Sequence, residues 1–264
     1  MKVLIVGDSC EDIFLYGKIE RVSPEAPVPV LEPIRKTSNI GMAGNVANNL
    51  SSLGIDCDLA TNSSKITKTR FIDSKSKQML LRLDENDDLP VDDNYDKFNN
   101  LDISKYDAVV ISDYDKGFLS TSQISEIFEK SKMSFLQTSK SLDGWCLGAD
   151  FIKINYFEYL KSENFITTQK DQLSKFIVTL GSKGFQYEEK IYPVENKVEV
   201  RDLSGAGDTF LASFVSEYLK KEDMLDSLMY AQNMASNVVQ KSGVNVAGNK
   251  IPNVKVLEMR MSLD

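Results

Sequence analysis

The stretch "DLSGAGDTF" at residues 202–210 places Gly-Ala-Gly and an aspartate directly ahead of an amphipathic run, "LASFVSEYLKK". Glycines there let backbone N–H groups converge without side-chain obstruction, and a following helix adds its positive N-terminal end. Such a cradle suits charge developing on a transferred phosphoryl group, which needs positioned donors above all. Asp208 beside it is placed to take a proton from a substrate hydroxyl. The plainer alternative is a tight turn whose Asp208 favours a helix N-terminus. Further along, "NYFE" (155–158) offers an amide and a carboxylate after the apolar run "DFIKI". That pair suits either Mg²⁺ held through water beside phosphates or a capping box of Asn155 with Glu158. "GDSCED" (7–12) puts Asp8 and Asp12 on a loop where carboxylates grip sugar hydroxyls, and "GMAGNVANN" adds Asn45 beside a second glycine turn.

Histidine is absent, which removes Ser-His-Asp and Cys-His hydrolases, HExxH metalloproteases and every histidine base. Neither a GxxxxGK[ST] loop nor a GxGxxG turn occurs, so any nucleotide is held by another device. The three cysteines, Cys10, Cys57 and Cys146, stand far apart and suggest neither zinc nor disulfides, which fits a reducing cytoplasm. A net charge of −8 and a pI near 4.9 argue against nucleic acid or anionic lipid as partner. No apolar run approaches the ~20 residues a bilayer demands. The opening "MKVLIVGDSCED" reads as a buried strand rather than a signal peptide.

The elements that must position these residues alternate at the pace of βαβ units, so the class is α/β with a mostly parallel sheet flanked by helices. Strands are expected at 2–8, 57–61, 106–113, 133–137, 150–155 and 175–184, the last ending in the glycine turn "TLGSKG" (179–184). Helices are expected at 43–54, 120–132, 206–221 and 223–241, and hairpins at 68–86 and 185–195. With its four prolines, 21–34 should be an edge strand or an ordered loop. The acidic 84–102 reads as a solvated connector. The whole forms one domain over 1–264, with a small β appendage from 14–34 and 68–83.

Taken in order, GD…D, G-x-A-G-N-V-A, N-x-x-E, T-x-G-x-x-G and D-x-S-G-A-G-D-T resemble the ribokinase-like (PfkB) carbohydrate kinases. "RVSPEAPVPVLE", "ITKTRFI…QMLLRLD", "SDYDKG" and "VVQKSGVNV" resemble the heptose 7-phosphate kinases within them. The resemblance implies a ribokinase-like fold with a β lid, using ATP and Mg²⁺. Gly205, Ala206 and Gly207 would form the anion hole and Asp208 would be the base. Asn155, Glu158, Thr179, Gly181, Gly184 and Asn233 would meet the nucleotide, with Glu158 holding Mg²⁺ through water. Asp8, Asp12, Gly41 and Asn45 would bind the sugar. An acceptor that already carries phosphate needs a cation in the pocket, for which Lys116, Lys153, Arg21 and Arg82 are the candidates.

The implied product is a heptose 1,7-bisphosphate, on the way to ADP-heptose and surface polysaccharide, made by a cytoplasmic homodimer joined through the lid. The second, nucleotidyl-transferring activity of some relatives, which uses an HxGH-type motif, is not expected from a chain without histidine. Four departures stand out. Met42 replaces a glycine, "QTSK" (137–140) lacks an acid, and "YAQN" (230–233) leaves Gln232 or Asn233 at the adenine. "DLATN" also runs into "SSKITKTRF" where relatives carry another strand–helix–strand piece. They keep open a kinase for another small sugar, or a binder of sugar phosphate or nucleotide without turnover.

Overall fold

In this computed structural model, residues 1–88, 90, 98, 101–195, 198–199, 202–240 and 245–257 are described. The apolar opening run forms β1 (Lys2–Gly7), which leads into a long hairpin, β2 (Ser9–Val22) and β3 (Pro29–Met42), and then helix α1 (Ala43–Ser52). Strand β4 (Asp56–Thr61) is followed by a second hairpin, β5 (Ile66–Asp73) and β6 (Met79–Glu85). Next come β7 (Ala108–Asp113), α2 (Thr121–Lys130), β8 (Ser134–Thr138), β9 (Phe151–Asn155), α3 (Tyr156–Thr168) and β10 (Phe176–Thr179). A short hairpin, β11 (Phe185–Tyr187) and β12 (Lys190–Tyr192), precedes helices α4 (Ala206–Lys221) and α5 (Met224–Val238), and β13 (Lys255–Leu257) follows.

The larger sheet has the order β12-β11-β10-β9-β8-β7-β1-β4-β13, with all pairs from β10 to β13 parallel and the β10–β11 and β11–β12 pairs antiparallel. Strands such as β1 and β7 are apolar on successive residues because both faces are covered. Leu4, Val6, Val109 and Ile111 pack on one side with Ile124, Ile127 and Phe128 of α2. Val3, Ile5, Ala108 and Val110 pack on the other with α1, α4 and α5. The strands run the same way, so their C-terminal ends line one edge, where α/β folds collect ligands.

The smaller sheet has the order β3-β2-β5-β6 and is larger than the sequence suggests. The proline-rich 21–34 is not a separate segment but the far ends of β2 and β3, and the hairpin spans 9–42. Pro29 opens β3 and Pro33 sits beside a register shift, and β3 is an edge strand, where a missing N–H is tolerated. The gap between β4 and β5 is only residues 62–65, and β13 lies parallel against β4. Of the acidic 84–102, residues 89, 91–97 and 99–100 lie outside the described residues, as do 241–244 of "VVQKSGVNV". Asp84 belongs to β6, and both Asp84 and Asp87 are ion-paired to lysine rather than simply solvated. No helix among the described residues is long and apolar enough to cross a membrane.

Candidate active site

Asp208 occupies the third position of α4, whose N-cap is Gly205 at φ 79, a left-handed conformation that a side chain would strain. The backbone of 205–207 therefore opens the helix, with the Ala206 N–H donating to Leu203 O at 3.3 Å and Ala206 and Gly207 lining the adjacent cavity. The Asp208 side chain is buried, and each oxygen has one donor. Asn45 Nδ2 donates to Oδ2 at 2.8 Å, and the Tyr114 hydroxyl donates to Oδ1. Burial pushes its carboxyl above the usual carboxylate range, while the hydrogen bonds from Tyr114 and Asn45 and the nearby Lys153 oppose that rise. Asn45 is itself fixed by Asn49, whose Oδ1 takes Ala247 N at 2.8 Å.

Lys153 on β9 is buried, and burial draws its ammonium below the ordinary lysine range. Its Nζ donates to Gln137 Oε1 at 2.7 Å and lies 3.2 Å from where a Cβ on Gly207 would stand. Lys153 thus stands beside the glycine turn that opens α4. Beside the cradle lies a cavity of about 460 Å³, lined by Thr179, Gly181, Gly184, Ala206, Gly207, Phe210, Gln232 and Val239 among others. Its size and largely apolar wall suit a ligand with a flat ring. Asn233, expected there, is instead exposed on α5, one residue out of phase; Gln232 takes the lining position and donates to Pro193 O at 2.9 Å.

Asn155, in register with Thr179, caps α3. Its Oδ1 accepts from Glu158 N at 2.9 Å, and its own N–H donates to Glu158 Oε2 at 2.7 Å. The capping-box reading therefore holds, and it leaves the half-buried Glu158 carboxylate with a second oxygen on Ser139 Oγ at 3.1 Å. No cluster of three or more acidic or cysteine side chains suited to a metal occurs among the described residues. A lone carboxylate with lone pairs to spare still fits Mg²⁺ held through its own water shell.

On the sugar side, Asp8 is buried, and its oxygens accept from the backbone N–H groups of Tyr114 (2.7 Å), Lys116 (3.3 Å) and Phe118 (3.3 Å). It shapes the 114–118 loop. Asp12 lies beside Gly41, where a Cβ would stand 2.4 Å from Asp12 Oδ2. Its Oδ1 accepts from Arg70 at 2.5 Å. Lys68 and Arg70 alternate along one face of β5, joined there by Arg82 and Asp84 of β6. Lys68 pairs with Asp84 and Asp87, and Lys116 reaches Asp87 at 2.7 Å. The two-residue spacing of Lys68 and Arg70 in "ITKTRFI" is the sequence signal that puts them on one face. Arg21 is exposed near the far end of β2, and Arg82 is half exposed on Asp84. Met42 adopts φ 58, ψ −130 at the N-cap of α1, a conformation natural to glycine, and packs with Cys10, Ile66 and Tyr114 rather than across the cleft.

A parallel sheet flanked by helices, with a buried aspartate at a helix N-terminus and a nucleotide-sized cavity beside it, has the architecture of a ribokinase-like sugar kinase. The pfkB family carbohydrate kinase profile matches residues 42–251, and the chain belongs to that family of ATP-dependent enzymes. The bifunctional protein HldE of Helicobacter pylori strain G27 is 32% identical over 93% of this chain and 64% of its own length. That alignment runs over 300 positions, so the relative carries residues this 264-residue chain lacks within the shared region. Among solved structures, Escherichia coli phosphofructokinase-2 in complex with potassium superposes with a TM-score of 0.69 at 14% identity, covering 94% of this chain and 95% of its own. Ribokinase from Thermotoga maritima gives 0.67 at 15%, covering 92% and 94%. At these identities the structural likeness speaks for the fold alone.

Proposed function

We propose that the protein phosphorylates the anomeric hydroxyl of a phosphorylated sugar, D-glycero-D-manno-heptose 7-phosphate, with Asp208 as general base. The observation that carries this reading is the buried Asp208 carboxylate, held by two donors at the mouth of a glycine turn that adjoins the nucleotide-sized cavity. The acceptor hydroxyl gives its proton to Asp208 as its oxygen bonds the transferred phosphorus and the bond to the ADP leaving group breaks. The glycine turn at 205–207 and the Lys153 ammonium would stabilise the charge on that phosphoryl group. Glu158 would hold Mg²⁺ through water, which supplies charge neutralisation on the phosphates.

The choice of heptose phosphate draws on HldE, the bifunctional relative, and on the cations Lys68, Arg70 and Lys116 around Asp12. These three are paired with carboxylates that an acceptor's phosphate can displace or bridge. The four-stranded sheet would act as the lid that excludes water. Its face opposite Lys68 and Arg70 exposes Leu81 and Leu83, which supports a homodimer formed through it, testable by sedimentation. Met42 favours a second reading, a kinase for another small sugar, because the glycine turn beside Asp12 is altered there. The test is ATP consumption with Mg²⁺ across heptose 7-phosphate, fructose 6-phosphate, ribose and buffer. Turnover with the heptose phosphate supports the reading, and turnover with ribose alone moves it to the second.

A further inference from the structure

We propose that Lys153, Gln137 and Tyr114 form a one-way chain of hydrogen-bond donors that aims Asp208 and holds it as a proton acceptor. This rests on reading Asp208 as the base. The chain crosses three adjacent parallel strands at one level, since Ser112 of β7 stands opposite Gln137 of β8, and Gln137 opposite Lys153 of β9. Tyr114 follows β7 and is pinned by its N–H to Asp8 at 2.7 Å. Each link has only one possible polarity. An ammonium donates only, so Gln137 must turn Oε1 to Lys153 (2.7 Å) and Nε2 to the Tyr114 hydroxyl (3.1 Å). That hydroxyl, already accepting from the amide, gives its hydrogen to Asp208 Oδ1.

An amide is the side chain that can do this. A carboxylate at 137 would accept from both Lys153 and Tyr114 and compete with Asp208 for the tyrosine hydrogen. The loss of an acid in "QTSK" therefore has a mechanical meaning. Tyr114 and Gln137 are positioning residues, because neither supplies the proton acceptor itself. Burial drives Tyr114 well above the ordinary tyrosine range, and Asp208 adds to that rise, so the hydroxyl stays protonated as a donor.

The groups facing Asp208 from the packed elements are Tyr114, Lys153 on β9, and Asp12 and Cys10 on β2. Asp12 is paired to Arg70, and burial pushes the Cys10 thiol up to about 12. Neither thiol ionisation nor the tyrosine then competes in the acid range. Glu158 acts from further off on Lys153 and Tyr114.

The experiment is a ¹³C NMR titration of the Asp208 carboxylate, assigned by its loss in Asp208→Asn, in ligand-free wild type, Tyr114→Phe and Gln137→Glu. The pH dependence of kcat/KM is measured alongside. Tyr114→Phe should raise the Asp208 titration by about one pH unit, roughly a tenfold change in its ionisation equilibrium. The acid limb of kcat/KM should move with it while KM for ATP changes little. Gln137→Glu should move both the same way, and it carries the test if Tyr114→Phe does not fold. An unmoved Asp208 titration in the folded variants overturns the chain, even if Asp208→Asn abolishes turnover. A shifted titration in a protein that turns over no acceptor keeps the chain and sinks the kinase reading instead.

Discussion

Two buried aspartates accept a hydrogen bond from a buried tyrosine hydroxyl, at opposite ends of one strand. Tyr106 precedes β7 and donates to Asp58 at 2.6 Å; Tyr114 follows β7 and donates to Asp208. The pairs differ in where the cation stands. Lys2 contacts Asp58 directly at 2.9 Å, and although burial pushes Asp58 up, the hydrogen bonds from Tyr106 and Lys2 outweigh it and leave that carboxyl below its usual range. Among the described residues no ammonium is hydrogen-bonded to Asp208; Lys153 acts on it by its nearby charge and through Gln137 and Tyr114, and burial prevails. A carboxylate locked onto a cation is a pin. One held by neutral donors keeps the basicity to take a proton, and it lies at the C-terminal edge where ligands collect.

The largest effect expected from this contrast is in Asp208→Asn. Turnover should fall by about 10²- to 10⁴-fold, with ATP and sugar binding by calorimetry nearly unchanged. Asp58→Asn should leave kcat intact, because the site is at the other sheet edge.

Next in size is the acceptor side. Lys116→Ala or Lys68→Ala should raise KM for a phosphorylated sugar by roughly tenfold, on the scale of one lost charge-assisted bond. Steady-state kinetics with an unphosphorylated analogue should show little change, and an equal loss for both sugars would remove the cations from the phosphate subsite.

Stability separates the two aspartates in the opposite order. Asp58→Asn leaves buried partners poorly matched and should cost about 1–3 kcal/mol, read as a lower Tm at neutral pH. Because the folded carboxyl of Asp58 sits below its unfolded value, its contribution is present above about pH 4 and is lost as pH falls through the folded value. The Tm gap to wild type should therefore close in acid. Asp208 has the reverse sign: its folded carboxyl is raised, so its ionised form loses stability as pH rises through the folded value. Asp208→Asn should melt no lower than wild type at neutral pH.

The smallest effect is expected for Met42→Gly. Relief of the positive φ, of order 1–2 kcal/mol, is offset by lost packing against Cys10, Ile66 and Tyr114, about 1.5–3 kcal/mol for a buried methionine. Calorimetry should find a net loss near 1 kcal/mol.

The helix starts of the candidate phosphate side are legible in the sequence because their parts are local. Gly205 to Asp208 form one helix start, and Asn155 with Glu158 one capping box. The helix over 156–168 was signalled only by that box, since its own residues carry little amphipathic pattern. The sugar side depends on long-range pairing, which no short motif records. Asp8 sits in a sugar-like motif but is taken by backbone donors more than 100 residues away. Lys68 and Arg70 gain meaning only when β5 lies beside β2. The roles of Gln137 and Tyr114 arise from strand register, and β13, three residues long, is too short to show in advance.

The most direct measurement of the central claim is ATP-dependent phosphorylation of heptose 7-phosphate by wild type and Asp208→Asn, with Mg²⁺ and matched ligand binding. The account predicts turnover in the wild type and its near abolition in the variant, with binding preserved. Equal turnover in both proteins would contradict Asp208 as the base, and binding without turnover in either would contradict the kinase itself.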